Sequence, residues 1–135
     1  MVDPIHPKKN IILVVDDEQI ILRLATSAIG EAGYRAAVAE NGAAGVECYV
    51  RLKDEICLVL ADLMMTSMNG LEMAKRILVI DPNTKILLMS GYSDSVLQTQ
   101  EPSLRLPFIR KPFLSVELIQ KIRFMLGVTA TAPWR

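Results

Sequence analysis

The chain has 135 residues, 15 of them basic and 15 acidic, and 51% are apolar. That length leaves little room for a second domain, and that apolar content supplies a sizeable core and argues against wholesale disorder. The even charge balance argues against a nucleic-acid surface, no uncharged apolar stretch approaches the roughly 18 residues of a membrane span, and residues 1–10 lack the apolar centre of a signal peptide. The expectation is a soluble, cytoplasmic protein that neither contacts nucleic acid directly nor inserts into a membrane. Cys48 and Cys57 lie in apolar surroundings far from any CxxC or Cys/His cluster, and are expected as buried thiols in a reducing compartment. His6, the sole histidine, sits in a Pro-flanked polar stretch and is no candidate ligand.

Residues 1–10 read as a flexible leader. Ile11–Val15 is a β-branched and leucine run ending in Asp16-Asp17, and suits a strand covered on both faces in a parallel sheet. From Glu18 onward, Ile21, Leu24, Ala25, Ala28 and Ala32 recur at helical spacing, and Gly33 stops the helix. Arg35–Ala39 is a weaker strand candidate, Asn41-Gly42 a turn, and Ala43, Val46 and Val50 a second helix face. Ile56–Ala61 is a buried-strand run ending in Asp62. Asn69-Gly70 opens a third helix, which Asp81-Pro82 closes. Lys85–Met89 is a fourth strand, followed by Ser90-Gly91. Residues 94–101 make a poor helix cut short by Pro102. Phe108–Arg110 is a short fifth strand before Lys111-Pro112, and a last helix runs from about Ser115 to Leu126. Residues 127–135 read as a loose tail. Alternating strands and helices predict one α/β domain over 11–126, a doubly wound (βα)5 parallel five-stranded sheet of flavodoxin-like form.

The chemistry follows from where the polar residues fall. Apolar strands end in Asp16 and Asp17, in Asp62, in Ser90 and in Lys111, and the carboxyl ends of strands in an open α/β sheet face one crevice. Three carboxylates there repel one another, and an all-oxygen donor set without His or Cys favours Mg2+ over zinc. A lysine and a serine beside the metal suit a phosphoryl group, with one carboxylate available as nucleophile. Taken singly, each residue has a plainer reading. Asp16-Asp17 serves equally as a helix cap and dipole partner, Asp62 as a turn residue, and Ser90-Gly91 as turn chemistry.

The conjunction resembles the receiver (phosphoacceptor) domain of bacterial two-component response regulators. The motifs are VVDDE at Val14–Glu18, DLMMTSMNG at Asp62–Gly70, LMSGY at Leu88–Tyr92 and FIRKPF at Phe108–Phe113. The resemblance implies that Asp62 accepts a phosphoryl group from a histidine kinase or phosphotransfer protein. It implies that Asp16, Asp17, Asp62 and the Met64 carbonyl hold Mg2+, and that Ser90 and Lys111 contact the phosphoryl group. Phe108 would be the switch aromatic following Ser90, and Lys111-Pro112 would be a cis bond. Met64, Gly91 and Tyr92 would flank the site, with bulky Met64 and Tyr92 hindering an attacking water and lengthening the phosphoryl lifetime. Met64 and Met65 would otherwise serve loop packing.

The change would be relayed to a downstream protein target. It would be a switch rather than an enzyme, beyond its own phosphoryl acceptance and slow autodephosphorylation. The resemblance also allows a homodimer through the face of 94–101, the fifth strand and the last helix. The chain would be a stand-alone receiver or one excised from a longer protein such as a hybrid histidine kinase.

Two departures stand out. Thr66 replaces the family's usual proline, and Pro102 and Pro107 interrupt the 94–107 region. Three other protein classes share part of this pattern. A Mg2+-dependent phosphohydrolase would carry DxD rather than adjacent acids. A flavodoxin-like cofactor binder would want a Gly/Ser/Thr-rich loop after the first strand. A non-phosphorylated interaction module would have lost an acid or the lysine.

Overall fold

In the computed structural model residues 9–91 and 106–128 are described. The chain order is β1 Ile11–Val15, α1 Gln19–Glu31, β2 Arg35–Ala39, α2 Gly42–Leu52, β3 Ile56–Asp62, α3 Gly70–Ile80, β4 Ile86–Ser90, β5 Phe108–Arg110 and α4 Ser115–Met125. The helix expected at 94–101, with Tyr92 and Pro102, lies outside the described residues, as do His6 and most of the leader and tail.

The strands form one parallel sheet in the order β2-β1-β3-β4-β5. Every residue of β1 and of β4 is buried, which is why these segments read as unbroken apolar runs rather than as alternation. Successive side chains still point to opposite faces. Leu13, Val15, Val59, Ala61 and Leu88 pack with α2 and α3, whereas Ile12, Val14, Leu60, Leu87 and Met89 pack with α1 and α4. β2 is different. It lies at the edge, and only Ala39 of its five residues is buried, which explains its faint signature.

Local chemistry starts the helices. Asn41 caps α2 by accepting the Ala44 N–H at 2.8 Å, and Asn69 caps α3 by accepting that of Glu72 at 2.8 Å. At α4 the Glu117 carboxylate accepts the Leu114 N–H at 2.7 Å. α1 starts differently. Glu18 holds the N-cap position, and its side chain makes no cap hydrogen bond. Among the described residues no helix is long and apolar enough to cross a membrane. Cys48 is buried, but Cys57 is only partly so, which corrects the expectation of two buried thiols.

The topology fixes where a site can form. From β1 the chain turns one way to β2, then crosses back so that β3 flanks β1 on the other side, and a crevice opens at that reversal. Gly70 packs behind it. A Cβ there would collide with the Asp62 carbonyl, and the Gly70 N–H donates to the Leu63 carbonyl at 2.9 Å. Gly70→Ala is therefore expected to lower stability by about 1–3 kcal/mol through overpacking against backbone that cannot step aside. Urea denaturation checks this, and an unchanged midpoint would show that α3 moves away freely.

Candidate functional site: an acidic pocket at the strand ends

Parallel pairing sets Val15 beside Ala61, so the next residues, Asp16 and Asp62, emerge side by side. Asp16 is fully buried and Asp62 is 5% exposed, whereas Asp17 faces solvent. One carboxylate oxygen from each of Asp16, Asp17 and Asp62 falls within a 4.8 Å set. On the other flank Ser90 pairs with Arg110, and the Lys111 N–H donates to the Ser90 carbonyl at 2.8 Å. This places Lys111 just beyond β5, and its side chain spans β4 to the acids. The Lys111–Pro112 peptide bond is cis.

Lys111 Nζ lies 3.0 Å from Asp16 Oδ2 and 3.4 Å from Asp62 Oδ1. It also donates a hydrogen bond to Glu18 Oε1 at 3.1 Å. The contact with Asp16 is close in charge but poorly directed. Among the described residues buried Asp16 Oδ2 meets the Lys111 ammonium and no other donor, while Oδ1 accepts the Glu18 N–H at 2.8 Å. A buried carboxylate oxygen left in that condition is costly, and a cation relieves it. All-oxygen donors, two of them deeply buried and one open to solvent, suit a hard divalent ion that keeps some of its water.

The electrostatics agree. Burial pushes the Asp62 carboxyl up to about 6, with repulsion from Asp16 adding to it and Lys111 and the Met64 N–H pulling the other way. The Met64 N–H reaches Asp62 Oδ1 at 3.3 Å. Burial alone would lower the Lys111 ammonium, but the facing carboxylates of Asp16, Asp62 and Glu18 outweigh it and raise it. Asp62 is thus ionised at neutral pH yet held in a tense, negative setting.

The remaining sequence candidates fall around this pocket. Ser90, the last residue of β4, is buried. Phe108 opens β5, half-buried against the α2–α3 core. Gly91 is exposed, with no other described residue crowding its Cα, and Tyr92 lies outside the described residues. The two adjacent methionines differ in burial. Met65 is buried in the core, whereas Met64 is 74% exposed. Sequence reasoning gave Glu18 no role, although it is the hydrogen-bond partner of Lys111. Its signal was a glutamate at a helix start where Ser, Thr, Asp or Asn is preferred.

Known proteins resemble this chain in sequence and fold. The chain is 33% identical over 117 residues to the response regulator receiver protein CpdR of Brucella abortus (strain 2308), covering 85% of this chain and 95% of that one. It is 35% identical over 114 residues to the chemotaxis protein CheY of Thermotoga maritima, covering 82% and 92%. Among solved structures, the response regulator protein TrrA of Thermotoga maritima in complex with Mg(2+)-BeF superposes with a TM-score of 0.74. It is 30% identical, with 85% of this chain and 97% of that one covered. The family model of the response regulator receiver domain matches residues 12–123, which spans every strand end that builds the pocket. On that match, and on relatives a third identical over nearly their whole length, the chain belongs to the receiver domain family of two-component response regulators.

Proposed function

We propose that Asp62 is the phosphoacceptor of this receiver and that the pocket around it is a phosphorylation-dependent switch. The observation that carries the reading is the meeting of buried Asp62, buried Asp16 and the Lys111 ammonium at one strand-end crevice. Of the pair, only Asp62 keeps any side-chain exposure, 7% against none for Asp16. An Asp62 oxygen attacks the phosphorus of a phosphohistidine on a kinase or phosphotransfer protein. The P–N bond breaks, its electron pair stays on the imidazole, and that nitrogen takes up a proton. Lys111 stands where it can stabilise charge on the transferred oxygens, and the fixed strand ends supply the alignment. Asp16, Asp17, Asp62 and the Met64 carbonyl would hold Mg2+, which when bound offsets charge on the phosphoryl group. TrrA, solved with Mg(2+)-BeF at 30% identity, supports that choice of ion.

The product carries more negative charge than the carboxylate it replaces. Ser90 at the end of β4 and Lys111 after β5 are the groups that would respond, and Phe108 at the start of β5 would follow. The outcome is a surface that a downstream protein can read.

Three measurements test this reading. Intact mass after incubation with acetyl phosphate and Mg2+ should rise by one phosphate in the wild type and stay unchanged in Asp62→Asn or without Mg2+. A gain that survives Asp62→Asn overturns the assignment. The second test is thermodynamic. In the metal-free protein the folded state holds the Asp62 proton up to about pH 6, whereas the unfolded chain releases it near 4. The folded state binds more protons in that window, so this residue's contribution to stability falls as pH rises from about 4 to about 6. Asp62→Asn should remove that slope and stabilise the protein at pH 7.5 by about 1–2 kcal/mol in urea denaturation. An identical slope in the variant would mean that Asp62 is not strained. The third concerns lifetime. Replacing Met64, which is exposed, together with Tyr92 by small polar residues should speed loss of the phosphoryl group, and an unchanged half-life removes any shielding role.

A further inference from the structure

Glu18 is an odd choice for its place in the chain. It is the N-cap of α1, yet its side chain makes no hydrogen bond to the helix. The helix start is served in other ways. The Glu18 carbonyl accepts the N–H groups of Ile21 and Leu22, each at 3.1 Å, and Asp16 Oδ1 takes the Glu18 N–H. The Glu18 carboxylate instead reaches a residue 93 positions away and accepts the hydrogen bond of Lys111 at 3.1 Å. It thereby straps the β1–α1 loop to the loop after β5 across the mouth of the acidic pocket.

Burial ranks the three carboxylates that compete for this ammonium. The side chain of Asp16 is wholly buried, that of Asp62 is 7% exposed and that of Glu18 is 60% exposed. Breaking a buried pair strands a charge away from water, whereas an exposed pair is worth little because water takes over. Three carboxylates, those of Asp16, Glu18 and Asp62, lie within 3.4 Å of one ammonium. A phosphoryl group arriving on Asp62 adds further negative charge beside Glu18. The exposed carboxylate is the one that both water and repulsion favour releasing.

We propose that Glu18 is a displaceable counter-ion of Lys111, a positioning residue that holds the ammonium's directed hydrogen bond until a phosphoryl oxygen takes it. The inference rests on the reading of Asp62 as acceptor and deepens it. Glu18 restrains phosphoryl acceptance, and its release frees the β1–α1 loop from the loop after β5, so the strap reports the state of the pocket at the surface.

The experiment follows the rate of mass gain with acetyl phosphate and Mg2+ for the wild type, Glu18→Gln and Glu18→Asp. Glu18→Gln removes the charge and the ion pair. Glu18→Asp keeps the charge, but its side chain is one methylene too short for Lys111 and suits the helix cap. Both variants should accept phosphate faster than the wild type, Glu18→Gln by roughly 2- to 5-fold, the range of an exposed ion pair. A Glu18→Gln rate equal to or below that of the wild type overturns the proposal. So does a Glu18→Asp rate that matches the wild type while Glu18→Gln is faster, since the effect would then be simple repulsion of an anionic donor. A wild type that gains no phosphate overturns the Asp62 reading itself, and the role of Glu18 with it.

Discussion

Two carboxylates buried side by side are the constraint around which this protein is arranged. Asp16 and Asp62 have no choice of position, because they continue two neighbouring strands whose last paired residues are Val15 and Ala61. Their proximity is set by backbone hydrogen bonds and by a core that keeps both strands dry. Charge repulsion at that spot must be met by a cation, and Lys111 arrives from the far edge of the sheet to supply one. Much else serves this meeting. The crossover that sends β3 back beside β1 opens the crevice, and the bare Cα of Gly70 lets α3 press against the Asp62 backbone. The short β5 is long enough to deliver the lysine.

The pocket is buried on one side and open on the other. Asp16, Asp62 and Ser90 are buried at strand ends. Asp17, Glu18, Met64 and Gly91 stand on loops facing solvent. Chemistry that depends on alignment is thus placed on the sheet, and response to partners on the loops, where rearrangement costs little burial. A receiver needs both, since it must take up a group in one fixed geometry and then present the result to a second protein.

Much of this was legible in the sequence because of the same burial. β1, β3 and β4 are covered on both faces, so their residues could only be apolar, and the polar residues that end them stood out. Where burial is incomplete the text fades. β2 shows four of five residues at least partly to water, and Arg35-Ala36-Ala37 carries little strand signature. Boundaries drifted by a residue for a physical reason. Asp62 and Ser90 still belong to the ladder although they read as the first residues of loops. Glu18 was hidden for a different reason. Its partner lies 93 residues away, and a poor cap residue at a helix start does not say where that partner is. The methionines show the same limit, since adjacent identical residues, Met64 and Met65, differ only in which way the loop turns them.

The reach of Lys111 also bears on how the molecule comes into being. Lys111 and Asp16 are drawn from opposite ends of the chain and Asp62 from its middle, so the pocket is complete only after the last strand has docked on β4. Contacts so distant in sequence form late, because their loop closure is unfavourable until the rest of the sheet is in place. A nascent or partly folded chain would hold the acids without their counter-charge and without alignment. If Asp62 is the acceptor, a chain whose last strand has not docked lacks the alignment that phosphoryl acceptance requires, and folding becomes a precondition of signalling.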